Sequence, residues 1–240
     1  MSLSLPTRRR FLAATGGFCV SAAIPGIAYG QGAAIGVPFG PDLGGEGWEH
    51  MTFRRIPATE YAASGRSELA ITARASSSLI HRPLPEPAFD AQRASWRWRV
   101  DEGVPATDLS RRGGDDRAIA IYFAFAPQSA RASAAVGRTS LRRLLISGSG
   151  NLLVYVWGGG EPRGTIVANP YTRGRGVYLI QRPADTPTGQ WQSEIVDLAG
   201  DYRRAFGDAP GILVGLAIAS DSDDVDGVNR ARVADLALAG

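Results

Sequence analysis

Residues 94–101 read Ala-Ser-Trp-Arg-Trp-Arg-Val-Asp, and residues 113–126 read Gly-Gly-Asp-Asp-Arg-Ala-Ile-Ala-Ile-Tyr-Phe-Ala-Phe-Ala. In the first run, two tryptophans and a valine alternate with arginines. Because successive side chains of a strand point to opposite faces, the three apolar side chains share one face. The first run therefore predicts a strand that places Trp96 and Trp98 in the core.

The second run has the same period of two. Its branched and aromatic side chains fall on alternate positions: Ile119, Ile121, Phe123 and Phe125. Such residues at this spacing favour a strand over a helix. We predict that the two runs form two central strands of an antiparallel sheet. The segment between them is rich in Gly, Pro and Asp, which is typical of an exposed loop.

The rest of the chain after residue 48 alternates short apolar runs with turn residues. One helix is predicted over residues 197–206, ended by Gly207. About ten short strands and one short helix near the C-terminus predict an all-β fold, an antiparallel β-sandwich of jelly-roll type. We assign residues 48–240 to this domain and residues 31–47 to a flexible lead-in. The other predicted strands cover residues 48–56, 67–74, 77–82, 141–147, 151–158, 165–169, 177–182, 191–196, 212–220 and 231–238.

The first thirty residues have the pattern of an export signal. Arg8, Arg9, Phe11 and Leu12 form a twin-arginine motif, and an apolar run with small residues follows it. We predict a twin-arginine signal peptide over residues 1–30, read by the twin-arginine export machinery and removed by signal peptidase. The mature protein is then periplasmic or secreted. A membrane anchor is the alternative, but glycines and a proline interrupt the apolar run, so we predict no transmembrane span in the mature protein.

Composition restricts the partners and the chemistry. The chain has 26 basic and 23 acidic residues, and none of the basic residues is a lysine. The only charged residues of the predicted leader are three arginines, and their removal leaves a mature charge near zero. Nucleic-acid binding needs a basic surface, so we predict no nucleic-acid partner. The single cysteine, Cys19, leaves with the leader, which excludes disulfides and cysteine metal sites.

The chain carries several short motifs in this order: Trp48-Glu49-His50, Trp96-Arg97-Trp98, Gly114-Asp115-Asp116, Tyr155-Val156-Trp157, Asn169-Pro170 and Asp221-Ser222-Asp223. Together they resemble the bacterial domain of unknown function family 3047. The likeness covers roughly residues 48–238. It implies a secreted or periplasmic β-rich domain and no established reaction. The usual Asp-x-Asp-Asn-Thr loop of the family is Asp-Ser-Asp-Asp-Val here, at residues 221–225.

The acidic loop that follows the last-but-one strand has two interpretations. Asp221, Asp223, Asp224 and Asp226 offer hard oxygen ligands of the kind that Ca²⁺ prefers. The spacing is not that of an EF-hand, because Val225 occupies a ligand position. The alternative is a solvated turn whose aspartates cap neighbouring backbone.

A second pair of acids, Asp115 and Asp116, precedes the second central strand. A hydrolytic pair needs two carboxyl groups about 5–9 Å apart across the scissile bond. Adjacent residues on a strand point to opposite faces, so these two are poor partners for each other. Asp115 or Asp116 with Asp221 or Asp223 is the better pair if the two loops meet in space. The alternative is an ion pair of one aspartate with an arginine, Arg97 or Arg117.

Aromatic side chains in the second half of the chain could form a stacking platform for sugar rings. The alternative is that they pack in the core or across strands. We expect Trp157 and Tyr171 to contribute to a ligand site. The other platform candidates are Tyr155, Tyr178 and Trp191.

Three functions fit these observations. The first is a non-catalytic binding module for a carbohydrate or another polar cell-envelope ligand. The second is a glycan hydrolase or lyase that uses paired aspartates. The third is a structural or assembly protein without a small ligand, which predicts a large exposed apolar patch. The expected ligand-binding residues are Asp115, Asp116, Trp157, Tyr171, Asp221 and Asp223.

Overall fold

The alternating runs form two β-sheets that pack face to face. The computed structural model describes residues 34–137, 142–144 and 150–240. The predicted leader, residues 1–30, lies outside the described residues. The prediction of a jelly-roll-like, mainly antiparallel β-sandwich is confirmed. The strands are β1 (Ile35–Gly36), β2 (Glu49–Thr52), β3 (Glu60–Ala63), β4 (Glu68–Arg74), β5 (Ser77–Pro83), β6 (Arg93–Glu102), β7 (Arg117–Ala126), β8 (Asn151–Trp157), β9 (Ile166–Ala168), β10 (Gly176–Arg182), β11 (Gln192–Asp197), β12 (Ile212–Asp221) and β13 (Val228–Ala239).

The strands divide into a six-stranded and a seven-stranded sheet. The six-stranded sheet has the order β11-β6-β13-β4-β3, and β1 pairs with β13 as well. The seven-stranded sheet has the order β2-β5-β12-β7-β8-β10-β9. Neighbouring strands are antiparallel except β8 and β10, which are parallel.

The main core lies between the two sheets and is rich in aromatic rings. Trp98 meets Trp157 edge to face at a centroid distance of 5.8 Å, and Trp96 lies 6.1 Å from Phe123. All four side chains are buried, and the alternation predicts this for Trp96, Trp98 and Phe123. The prediction that the two runs belong to one sheet is wrong, because β6 is in the six-stranded sheet and β7 is in the seven-stranded sheet. The two strands face each other across the core.

Two α-helices lie entirely within the described residues, α1 (Arg131–Ala135) and α2 (Leu198–Phe206). The predicted C-terminal helix is α2. At its start, the Asp197 side chain accepts a hydrogen bond from the Gly200 amide at 2.9 Å. At its end, Gly207 has φ 79°, the left-handed conformation that glycine adopts without steric cost. Local sequence signals therefore determine both ends of this helix.

Two further predictions do not hold, the flexible lead-in before the domain and the strand over residues 141–147. Residues 34–47 are not a flexible lead-in, because β1 pairs with β13 and Phe39 is buried in a stacked contact with Trp48 at 5.4 Å. The predicted strand over residues 141–147 is wrong at residues 142–144, which are helical, and its other residues lie outside the described part.

The seven-stranded sheet is buried on both faces. Its outer face, the one turned away from the other sheet, carries a second apolar cluster that includes Met51, Leu79, Tyr122, Leu152 and Tyr178. The segments around α1 and residues 142–144 cover part of this face through Ala130, Ala134 and Leu144. Alanines supply several of the remaining positions: Ala120, Ala124, Ala217 and Ala219. Small side chains there leave room above the sheet.

None of the helices in the described part of the chain is long and apolar enough to span a membrane.

Candidate functional site

The pairing of β7 with β12 brings the two acidic loops together. The strands are antiparallel, and Asp221 at the end of β12 lies opposite Arg117 at the start of β7. Asp115 and Asp116 immediately precede β7, and Asp223 lies two residues after the end of β12. The condition set for an aspartate pair, that the two loops meet in space, is therefore fulfilled.

A cavity of about 390 Å³ opens beside these loops on the outer face of the seven-stranded sheet. We call it the outer cavity. Its floor consists of strand residues, and its sides come from the two acidic loops and from loops near residues 53–56 and 169–172. The lining residues are Met51, Phe53, Ile56, Ser77, Leu79, Asp115, Arg117, Tyr122, Leu152, Asn169, Tyr171, Thr172, Tyr178, Ala219, Asp221, Asp223 and Asp224.

Arg117 is the buried cation of the site, with a side chain that is 5% exposed. Its Nη1 donates to the backbone oxygen of Asp115 at 2.6 Å and to the Asp115 carboxylate at 3.0 Å. The same nitrogen lies 3.4 Å from Asp221 Oδ2. Its Nη2 donates to the Tyr122 hydroxyl at 2.8 Å. Arg117 thus joins both acidic loops to the floor of the cavity.

Asp115 is held by tyrosine hydroxyls as well as by Arg117. The hydroxyl of Tyr171 donates to Oδ1 at 3.0 Å, and that of Tyr178 donates to Oδ2 at 2.9 Å. Of the two arginines considered for an ion pair with this aspartate, Arg117 is the one that forms it. Arg97 pairs instead with Asp235, on the six-stranded sheet.

Three further carboxylates converge beside Arg117. Asp116, Asp221 and Asp223 each have an oxygen within 4.8 Å of the others. Burial raises the pKa of Asp221 to about 9, against the attraction of Arg117. Burial also raises the pKa of Asp116. Among the described residues, the buried Oδ1 of Asp221 has no hydrogen-bond partner.

The group that could hold a cation differs from the predicted calcium set. It contains Asp116, whereas Asp224 and Asp226 are exposed and outside it. Asp116 Oδ2 accepts from the Val225 amide at 2.9 Å, and Oδ1 accepts from the Asp224 amide at 3.4 Å. Within this group, Asp221 and Asp223 are the carboxylates that accept no hydrogen bond from a backbone amide. They supply fewer ligands than Ca²⁺ needs, because this ion takes about six to eight oxygen ligands.

The aromatic residues separate into core and cavity positions. Trp157 is 1% exposed and packs between the sheets, so its predicted place in a ligand site does not hold. Tyr155 lies in the same core, and Trp191 is remote from the cavity, beneath the Arg97 guanidinium at 5.0 Å. Tyr171 does line the cavity and is 49% exposed. Phe53, 37% exposed, is the other exposed aromatic residue of the lining, whereas Tyr122 and Tyr178 are buried.

Three residues of the site carry only a weak signal in the sequence. Phe53 follows a short edge strand, and nothing local marks it. Tyr122 is the one large polar side chain on the alanine-rich face of β7. Asn229 is the one polar residue at the buried positions of β13, and its Nδ2 donates to the backbone oxygens of Arg117 at 3.1 Å and Asp221 at 2.8 Å. Lone polar residues on buried faces are the signals for the last two.

The outer cavity therefore combines two kinds of surface. Its rim presents aromatic and apolar side chains, and one end presents carboxylate oxygens held in place by Arg117 and by tyrosine hydroxyls. Such a cavity can bind a ligand that has both apolar faces and hydrogen-bond donors.

Comparisons with known proteins place the chain in one sequence family and find weak likenesses to solved structures. The xyloglucanase domain of NopAA, a type three effector from Sinorhizobium fredii, solved with cellobiose, is 9% identical, with a TM-score of 0.43 over 80% of this chain and 93% of that chain. A family 11 carbohydrate-binding module from Clostridium thermocellum, solved with a β-1,3-1,4-mixed-linked tetrasaccharide, is 7% identical, with a TM-score of 0.34 over 80% of this chain and 88% of that chain. No curated protein sequence matches the chain significantly. The profile of the family described as protein of unknown function (DUF3047) matches residues 46–237, and the chain belongs to that family.

Proposed function

We propose that this protein is a carbohydrate-binding domain whose ligand occupies the outer cavity. The observation that carries the proposal is the position of two exposed aromatic side chains, Phe53 and Tyr171, on the rim of a cavity whose end is lined by carboxylates. Its volume of about 390 Å³ falls within the usual range of ligand pockets.

The chemistry of a sugar matches both surfaces of the cavity. Its C–H faces can pack on aromatic rings, and its hydroxyl groups can donate to fixed acceptors. The carboxylates of Asp115 and Asp221 and the side-chain oxygen of Asn169 are such acceptors. Arg117 and the tyrosine hydroxyls hold Asp115 before any ligand arrives, so binding needs little reorganisation there.

The experiment is a glycan array on the mature chain, followed by calorimetry on any glycan that is bound. We expect Phe53→Ala and Tyr171→Ala each to weaken binding by about tenfold, because each removes a stacking surface. Trp191→Ala is the matched control, since Trp191 is an aromatic residue on the other sheet, away from the cavity. An array without hits, or equal losses in the control, would refute the proposal.

A second candidate function is glycan hydrolysis or lysis by the aspartates. The observation that favours it is the convergence of Asp116, Asp221 and Asp223, with a pKa of about 9 for Asp221. A carboxyl group that keeps its proton at neutral pH can act as a general acid. Release of reducing ends from a bound glycan, abolished in Asp221→Asn while binding persists, would establish this activity. Binding without any cleavage would remove it.

The assembly role finds less support than binding. It predicts a large exposed apolar patch. Two of the exposed large apolar side chains, Phe53 and Tyr171, line the outer cavity. The others in the described part of the chain are scattered: Val136, Ile195 and Val225.

We also propose that the protein works in the periplasm or outside the cell, exported by the twin-arginine route. The support is the motif at Arg8 and Arg9 and the apolar run that follows it. A double substitution of both arginines by lysine should retain the unprocessed precursor in the cytoplasm, as detected by fractionation and N-terminal sequencing. Unchanged export of that variant would exclude the twin-arginine route.

A further inference from the structure

The outer cavity has an excess of acidic over basic lining residues. Arg117 is the one basic residue among the described residues that line it. The acidic lining residues are Asp115, Asp221, Asp223 and Asp224. A ligand that enters this cavity therefore meets more carboxyl groups than the protein's own cation can balance.

Both Nη atoms of Arg117 are already engaged within the protein, and its buried Nε has no hydrogen-bond partner among the described residues. Its two Nη atoms contact the Asp115 carboxylate, the Asp115 backbone oxygen and the Tyr122 hydroxyl, with Asp221 Oδ2 at the longer distance of 3.4 Å. The other Asp221 oxygen, Oδ1, is buried and finds no partner among the described residues. A buried carboxylate oxygen without a donor is costly, because it has given up its bonds to water. In its ionised form, Asp221 therefore has one acceptor oxygen that no donor among the described residues uses.

The walls of the cavity already stabilise positive charge. The Arg117 guanidinium lies 5.0 Å from the centre of the Tyr178 ring, and that of Arg112 lies 5.3 Å from the centre of the Tyr171 ring. Aromatic faces attract cations through the ring quadrupole. Aromatic walls and unbalanced carboxylates both favour a cationic group in the ligand.

We propose that the carbohydrate bound in the outer cavity carries a protonated amino group, held between Asp221 and Asp223. The inference rests on the proposed function and specifies the class of sugar. An ammonium group has three donors, enough to reach Asp221 Oδ1 and a neighbouring carboxylate together. An acetamido or hydroxyl group in its place would leave the same carboxylates without a balancing charge.

The protonation of the empty cavity agrees with this assignment. Burial raises the pKa of Asp221 to about 9, so that a proton occupies this carboxyl group when no other cation is present. A bound ammonium would take the place of that proton. The charged and titratable groups around Asp221 include Arg117 and Tyr122 of β7, Asp115 and Asp116 before β7, Tyr61 of β3, Tyr178 of β10, Tyr171, and Asp223 and Asp224 after β12.

A metal ion fits the same place less well. Both oxygens of Asp116 accept bonds from backbone amides of the acidic loop. Asp221 and Asp223 then remain as the carboxylates without backbone bonds, fewer than Ca²⁺ requires. An ammonium group needs only two or three acceptors, and these are present.

The test uses glycans that differ only at nitrogen. An array presents amine-bearing glycans of several linkages beside their N-acetylated and hydroxyl counterparts, and calorimetry measures the bound set at pH 7. We expect the amine form to bind at least about tenfold more tightly than either counterpart. Asp221→Asn should remove this preference. Asp226→Asn, an exposed aspartate of the same loop outside the lining, should keep it.

A second readout uses the absence of lysine from the chain. A carbodiimide joins a carboxyl group to an amine as an amide, with loss of water, and here no lysine side chain competes with the ligand. We expect the cross-linked amine-bearing glycan on Asp221 or Asp223, as located by mass spectrometry of peptides. Cross-links spread over exposed carboxylates at the level of Asp226 would contradict the assignment.

The outcomes separate this inference from the proposed function. Equal binding of amine, N-acetylated and hydroxyl forms would overturn the amine assignment and leave carbohydrate binding intact. Failure of all glycans to bind would refute carbohydrate binding and this inference with it. Added Ca²⁺ that raises the melting temperature and excludes the amine-bearing glycan would show that the carboxylates bind a metal instead, which also overturns the inference.

Discussion

Asp221→Asn should lower the free energy of unfolding at acidic pH and raise it at neutral pH. In the folded protein the pKa of this carboxyl group is raised from 3.8 to about 9, chiefly by burial. Between these two values, the folded state binds a proton that the unfolded state has released. The free energy of unfolding of the wild type therefore falls as the pH rises through this window.

The magnitude follows from the width of the window. One pKa unit corresponds to about 1.4 kcal/mol, so the carboxyl group costs the folded state about 4 kcal/mol at pH 7 and almost nothing near pH 4. Asparagine avoids this cost. It also loses the contact of Asp221 Oδ2 with Arg117 at 3.4 Å, a loss of about 1–2 kcal/mol. We expect Asp221→Asn to be less stable than the wild type by about 1 kcal/mol at pH 4 and more stable by about 2 kcal/mol at pH 7.

The assay is urea denaturation followed by tryptophan fluorescence, at intervals from pH 4 to pH 8, on the wild type, Asp221→Asn and Asp226→Asn. Trp96, Trp98 and Trp157 are buried in the core, so their emission reports unfolding. The curves of the wild type and Asp221→Asn should cross, and Asp226→Asn should follow the wild type. Parallel curves for Asp221→Asn and the wild type would refute the reasoning, because they would mean that Asp221 titrates alike in both states.

Three further substitutions test how the site and the sandwich are held together. Glu194→Ala should lower the free energy of unfolding by about 3 kcal/mol in urea denaturation, because this buried carboxylate pairs with Arg163 at 2.7 Å and Arg182 at 2.6 Å. Asn229→Ala should cost about 2 kcal/mol in the same assay and weaken glycan binding in calorimetry, since the amide fixes the backbone of both acidic loops. Gly207→Ala should lower the free energy of unfolding by about 1 kcal/mol without changing glycan affinity, because φ is 79° there.

The sequence predicts which face of a strand is buried better than it predicts which strands pair in one sheet. Alternation along β6 and β7 correctly identifies the buried faces, because the period of two is a local property of a strand. It does not say which strands share a sheet. Pairing depends on contacts between distant segments, and β6 and β7 proved to lie in opposite sheets.

The site was predictable in its acids and less so in its aromatics. Asp115 and Asp221 each stand at the end of an apolar strand, so the sequence allows the two acidic loops to meet. Only the antiparallel register of β7 and β12 brings these loops together. β8 is apolar on both faces, since both faces of its sheet are covered, and its sequence does not show which face turns toward the core. Trp157 therefore looked as available for a ligand as Tyr171, although only Tyr171 is exposed.

The alanines on the outer face of the seven-stranded sheet make the depth of the cavity adjustable. Ala219 lines the cavity directly, and Ala120, Ala124 and Ala217 belong to the same apolar cluster. Exchange of Ala219 for a longer apolar side chain would raise the floor without moving the carboxylates at the end. If the proposed ligand occupies the cavity, its size would be selected at Ala219 and its charge at the carboxylates, so a variant with a shallower cavity should keep the preference for an amine.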